Sequence, residues 1–242
     1  MHIRHLHDWD LTPTEARAVQ DEMVERLDLT PPFSLGPGDL VMGVDNSYLE
    51  TAAATTAFAA AVVMSWPELE IVEVRTATKP ITFPYIPGLL TFRELPVLIE
   101  ALEQVEHQPA LIFDDGHGIA HPRGIGIAAH LGLLTATPTI GIAKRPLRMR
   151  WTQPGPNVGD VTPIERKGRV VGYAVRTRAT RKDPVFVSPG NLIRVEDVVQ
   201  PVLEASQGAY LPKPQQATHD AVTRIRRAAK EAATAPQADP EG

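Results

Sequence analysis

The chain has no cysteine among its 242 residues. Disulfides and zinc–thiolate sites are therefore excluded, which suits a reducing compartment. It also lacks any run close to the roughly 18 apolar residues that span a bilayer. The longest apolar stretch, 52–64, is broken by threonines. Residues 1–10 carry histidines and acids but no apolar segment, so no secretory signal is expected and a cytoplasmic location is. No internal repeat is visible. The net charge of −5 weighs against a general polyanion binder, but its distribution matters more. Residues 141–182 hold eleven Lys or Arg against two acids, leaving thirteen basic and twenty-seven acidic residues elsewhere. A locally basic face on an acidic protein suits something that grips a polyanion at one place. Solvated strand edges and loops would give the same count.

The length fits one large domain with a sizeable core. Apolar spacing predicts helices over 14–27, 89–104, 122–134, 195–206 and 215–231, with Thr12 or Thr14 as N-cap of the first and Pro122 opening the third. Strands are expected over 40–44, 54–65, 71–78, 110–113, 139–143, 169–177 and 185–188, the first three as an antiparallel meander. The three prolines in 82–88 rule out regular structure there, and Pro96 must kink its helix or sit near its boundary. These elements suggest an α/β fold with a mixed sheet covered by helices. Residues 1–232 are expected to form one domain, and the Ala/Pro-rich 233–242 a disordered tail.

Residues 111–123, Leu-Ile-Phe-Asp-Asp-Gly-His-Gly-Ile-Ala-His-Pro-Arg, are the most informative stretch. An apolar strand ends in two carboxylates and a glycine-rich turn, the place in α/β sheets where ligands bind. Asp45 is expected to end the first strand, and Glu94 to lie a turn into its helix. If the strands carrying Asp45 and Asp115 are neighbours, both can face one ion. Mg²⁺ favours oxygen ligands and suits such a cluster with a substrate phosphate. Each residue also has a plainer role: Asp45 as a turn starter, Glu94 as a solvated helix residue, Asp115-Gly116 as a turn.

The chain resembles the endonuclease V family, deoxyinosine-directed nucleases with a ribonuclease H-like fold. The likeness runs from about Thr12 to Ile225. It rests on Gly43-Val44-Asp45-Asn46-Ser47-Tyr48, on Pro84-Tyr85-Ile86-Pro87-Gly88-Leu89-Leu90-Thr91-Phe92-Arg93-Glu94, and on Asp115-Gly116-His117-Gly118-Ile119-Ala120-His121-Pro122-Arg123. Thr139-Ile140-Gly141-Ile142-Ala143-Lys144 and Pro184-Val185-Phe186-Val187-Ser188-Pro189-Gly190 add to it. The resemblance implies that Asp45, Glu94 and Asp115 hold Mg²⁺, with Mn²⁺ as substitute, and that His219 completes the catalytic group.

It further implies that Tyr85 is a wedge filling the gap left by an unstacked base. Gly88, Leu90, Gly116, Gly118 and Gly141 then belong to a pocket that reads hypoxanthine largely with main-chain groups. Lys144 is expected to meet a phosphate or developing charge. His121 either contacts the active centre or caps the helix that Pro122 opens. Arg123, Arg145, Arg148 and Arg150 are candidate backbone contacts. Asp114 is expected to be a bystander.

Two positions depart from the family's pattern: Gln216 stands where arginine is usual, and Asn191 where histidine is common. The expected activity is hydrolysis of the second phosphodiester bond 3′ to deoxyinosine in DNA during repair. The alternatives are an inosine-specific ribonuclease acting on single-stranded RNA and a non-cleaving inosine-DNA binder. No membrane or protein partner is indicated.

Overall fold

A computed structural model describes residues 1–52 and 54–234. Helix α1 (Pro13–Val24) begins where expected. The Thr12 hydroxyl accepts from the Glu15 N–H, and the Glu15 carboxylate accepts in return from the Thr12 N–H, at 2.8 Å for the latter, so a capping box and Pro13 set its start.

Strands β1 (Leu40–Glu50), β2 (Thr55–Ser65) and β3 (Ile71–Pro80) form the antiparallel meander. Helix α2 (Leu90–Leu102) follows, with Pro96 inside it, then β4 (Leu111–Asp114), α3 (Ile127–Thr135) and β5 (Thr139–Ala143). The chain continues through β6 (Val161–Arg166), β7 (Arg169–Val175) and β8 (Val185–Pro189). A 3-10 turn (Val195–Asp197) leads into α4 (Val199–Ser206) and α5 (Lys213–Thr234).

The eight strands lie in the order β3-β2-β1-β4-β5-β8-β7-β6. Only β1–β4 and β4–β5 are parallel; the other pairs are antiparallel. An antiparallel meander continued by two parallel strands, with helices on both faces, is the α/β ribonuclease H-like arrangement expected from the sequence. One core packs Met42, Val44 and Ile112 under Leu95 and Leu98 of α2 and Leu131 of α3. The other packs Val41, Phe113 and Ile142 under Val222 of α5. The buried runs of β4 and β5 reflect cover on both sides.

Several elements differ from expectation. β1 does not stop before Asp45: its pairing with β2 continues to Glu50↔Thr55, while its pairing with β4 ends at Val44↔Asp114. Pro122 does not open α3. It lies in a turn in which the Gly124 N–H donates to the His121 carbonyl at 2.8 Å, with Gly124 at φ +81°, and proline fits the second position of such a turn as well as a helix start. β6 was unforeseen. Pro163 disguises it, yet β6 is the outermost strand, where a missing N–H is tolerated. The 195–206 helix divides into the 3-10 turn and α4. Of the expected tail, 233 and 234 end α5, and 235–242 lie outside the described residues.

Candidate active site

The parallel pairing of β1 with β4 sets the two aspartates side by side. Val44 pairs with Asp114, and the Asp115 N–H points to the Val44 carbonyl. Asp45 follows Val44 on the still-extended β1, and Asp115 follows the end of β4. Helix α5 crosses this point closely because residue 43 is glycine: a Cβ there would collide with the Pro214 carbonyl and the Thr218 hydroxyl. Gln215 fixes the approach by donating to the Ile142 carbonyl at 2.9 Å. His219 is thereby placed with Nδ1 2.9 Å from Asp45 Oδ2.

Ligand atoms of Asp45, Asp115 and His219 lie within 4.8 Å of one another. This trio could hold a metal ion. Lys144, at the end of β5, donates to Asp115 Oδ2 at 2.6 Å. Burial, aided by the charge of Asp115, pushes the Asp45 carboxyl up to about 6. A buried carboxylate held up by a second one beside it is the setting a bound cation relieves. The donor set therefore fits a divalent ion.

Glu94 is not within that trio. It projects from α2, and its Oε1 accepts from the Tyr48 hydroxyl at 2.7 Å, while its carbonyl accepts from Asn46 Nδ2 at 3.0 Å. Burial first, then the nearby Asp45 and Asp115, raise its carboxyl to about 7. Glu94 thus adjoins the trio and is steered by two β1 residues, Asn46 and Tyr48, that the sequence motif contained without a role being assigned. Asp114 is fully enclosed, with Oδ2 unpartnered, and burial holds its carboxyl well above the usual range.

Beside this centre is a cavity of ≈ 210 Å³ whose lining includes Tyr85, Gly88, Leu90, Gly116, His117 and His121. Tyr85 is 70% exposed at the tip of the irregular 82–88 loop. The loop is tied at both ends. Arg93 donates to the Phe83 carbonyl at 3.0 Å, and Gln20 of α1 to the Gly88 carbonyl at 2.9 Å. Gly116 has no room for a side chain against Asp114 and Ile127, so the loop's backbone forms the wall.

Gly118 and Gly141 do not line the cavity. A Cβ at Gly118 would strike the Pro189 carbonyl, one at Gly141 would strike the 116–118 backbone, and the Gly118 N–H donates to Ser188 Oγ at 2.9 Å. They support the loop from beneath. Leu90 does face the cavity.

His121 Nδ1 accepts from the Arg123 N–H at 3.3 Å, so it braces the turn rather than the helix, and it also lines the cavity. Burial lowers both His117 and His121 to about 4. Both are neutral near pH 7, and His117 Nδ1 has no partner. His117 is a cavity residue the sequence pointed at without assigning.

Neither departing residue has a hydrogen bond to Asp45, Asp115 or His219 among the described residues. Asn191 is buried, accepting from the Asp28 N–H at 2.9 Å and donating to the Gly132 carbonyl at 3.2 Å. Gln216 donates to Asp220 Oδ1 at 2.9 Å on the exposed side of α5.

Comparison with known proteins bears on this arrangement. The sequence model of the Endonuclease V family matches residues 21–220. An endonuclease V of Xylella fastidiosa is 42% identical over 207 residues, covering 85% of this chain and 85% of that protein. The crystal structure of endonuclease V from Bacillus subtilis superposes with a TM-score of 0.90 at 30% identity, over 96% of this chain and 100% of that one. An endonuclease V of Ciona intestinalis, solved with a 24mer DNA containing an inosine followed by a ribo-adenosine, shares the fold at TM-score 0.77 and 24% identity, over 89% and 98% of the two chains.

Proposed function

The chain belongs to the endonuclease V family, and from that footing we propose that it is a DNA-repair endonuclease that recognises deoxyinosine and hydrolyses the second phosphodiester bond on its 3′ side. The observation that carries this reading is one juxtaposition. A carboxylate–histidine trio fit for a divalent ion adjoins a base-sized cavity beneath an exposed tyrosine. The Ciona complex makes inosine-containing nucleic acid the ligand class to test.

Asp45 and Asp115 hold the ion, Mg²⁺ or Mn²⁺, with Glu94 completing the carboxylate set from α2. When bound there, a divalent ion would supply activation of water and stabilisation of the oxygen leaving phosphorus. His219 holds Asp45 in place through Nδ1, and its other ring nitrogen is the group to pass a proton to or from water. Lys144 orients Asp115 and brings a positive charge to the phosphate.

Tyr85 enters the stack that the lesion vacates, which offsets part of the few kcal/mol that unstacking costs. The base enters the cavity among Gly88, Leu90, Gly116, His117 and His121. The close wall at Gly116 rejects the exocyclic amine that guanine carries and hypoxanthine lacks. Neutral imidazoles and backbone groups read the carbonyl and ring N–H that distinguish hypoxanthine from adenine. Among the described residues no helix is long and apolar enough to cross a membrane, and a cytoplasmic location is part of the proposal.

The test is cleavage of matched inosine DNA and inosine RNA strands with Mg²⁺ or Mn²⁺, with product ends mapped. A cut one nucleotide beyond the lesion's own 3′ linkage in DNA is expected. Preference for the RNA strand would replace the substrate, and binding without cutting under either metal would replace the activity.

A further inference from the structure

A second cavity opens on the far side of Gly88 and His121. It has ≈ 420 Å³ and is lined by Arg17 of α1, Arg123, Arg148, and an apolar ledge that includes Pro87, Leu89 and Leu147. Pro87, Gly88, His121 and Leu147 belong to both cavities, so the two adjoin. No residue of the Asp45–Asp115–His219 trio lines it.

Its cations are not equally engaged. Arg123 is ion-paired to Asp21 and donates to the Arg17 carbonyl at 3.2 Å, so it braces α1. Arg17 makes a bond of 3.2 Å to the Pro13 carbonyl of its own helix. Neither Arg17 nor Arg148 meets a carboxylate among the described residues. Both are exposed. Beyond Arg148 the surface continues into a basic hollow of ≈ 480 Å³ with Arg150, Arg166, Lys167 and one acid, Glu165.

We propose that this second cavity is the track for the lesion strand on the 5′ side of the flipped base, with Arg17 and Arg148 binding the phosphodiesters there. This rests on the catalytic reading above. If the cut lies 3′ to the base, the strand leaves the base cavity toward the aspartates in the 3′ direction. Its 5′ neighbours must leave by the other side, and the cavity there is cationic with an apolar floor. Guanidinium groups bind phosphate oxygens through paired N–H donors. The ledge of Pro87, Leu89 and Leu147 offers a flat apolar surface to the adjoining sugar. This contact carries no sequence information and fixes strand polarity. Arg17 belongs to an N-terminal helix that carries none of the catalytic motifs, and the proposal gives that helix a part in substrate binding.

The experiment replaces single phosphates of an inosine strand by neutral methylphosphonate and measures cleavage by the wild-type protein in Mg²⁺. Replacing the first or second linkage 5′ to inosine is expected to raise KM about tenfold with kcat unchanged, a loss of about 1.4 kcal/mol. A replacement ten linkages away should do nothing. The Arg17→Ala/Arg148→Ala double variant should show the same rise on the unmodified strand. It should be insensitive to the 5′ methylphosphonates, because the contact they test is already gone. Its salt slope should fall by about 1.4, at about 0.7 per lost contact on a single strand.

Normal cleavage by the double variant with unchanged KM would overturn the proposal. So would effects of the variant and the methylphosphonates that simply add. Both outcomes leave the catalytic reading standing. Failure of the wild type to cut the unmodified inosine strand overturns the catalytic reading, and this proposal with it.

Discussion

The hydroxyl of Tyr48 shows how much of this site depends on one contact. It reaches Glu94 across the gap between β1 and α2, and a sequence separation of 46 hides the pair from any local motif. Tyr48→Phe keeps the packing and removes the donor. Metal affinity, read by calorimetric titration, should then weaken by roughly tenfold, the lower range for loss of a group that orients a ligand. Unchanged affinity would show that Glu94 takes no part in holding the ion.

Buried histidines set a second expectation at this scale. Burial holds His130 well below its usual pKa, and His121 at about 4. The unfolded chain takes up these protons near pH 6.5, and the native state takes them up only at lower pH. Their contribution is therefore complete above about pH 6.5 and is lost as pH falls toward 4, at up to about 1.4 kcal/mol per pH unit for each group. The raised carboxyl of Asp114 acts in the opposite direction. Comparing wild type with His130→Gln cancels that effect: the variant's urea midpoint should fall less steeply between pH 6.5 and 5. Parallel curves would contradict the assignment.

At the level of elements, Asp45 and Asp115 were legible because each sits in a compact motif that follows an apolar run. The strand neighbours that unite them were legible only as a condition, since pairing partners leave no local mark. Where pattern misled, the physical cause can be named. Asp45-Asn46-Ser47 reads as a turn, yet β2 continues to pair beyond β4's end and keeps β1 extended. Pro122 has two favourable homes, and Gly124 with its positive φ decides for the turn. Pro163 hid β6, whose outermost place tolerates it.

Gly43 carried no signal beyond its motif, yet it admits α5 and so places His219. Gly43→Ala should force α5 outward, cost about 1–3 kcal/mol of stability through overpacking, and reduce cleavage more than the unfolded fraction explains. Thermal unfolding and turnover measured on the same preparation test this. Full activity with a normal melting temperature would show that α5 can yield.

Across the whole molecule, the charge asymmetry acquires a location. Four of the eleven cations of the basic 141–182 segment, Arg148, Arg150, Arg166 and Lys167, gather around one hollow beside the outermost strand. The candidate metal trio, the cavity proposed for the base and the cationic surface follow one another through shared or adjacent residues. That order is the path proposed for a nucleic-acid strand: Asp115 follows the end of β4, and the 82–88 and 116–126 loops supply much of the adjoining cavity's lining. Composition alone had left polyanion binding and ordinary solvation equally open.

The central claim is that the carboxylates on β1 and after β4 cut a strand selected by the adjoining cavity. Its most direct test is nicking of an inosine duplex in Mg²⁺ by the wild type and by Asp115→Ala. Removal of this ligand should abolish a single cut at the second bond 3′ to inosine while the variant stays folded. Chelation of the ion should abolish the same cut in the wild type. Nicking that persists unchanged in Asp115→Ala would contradict the account.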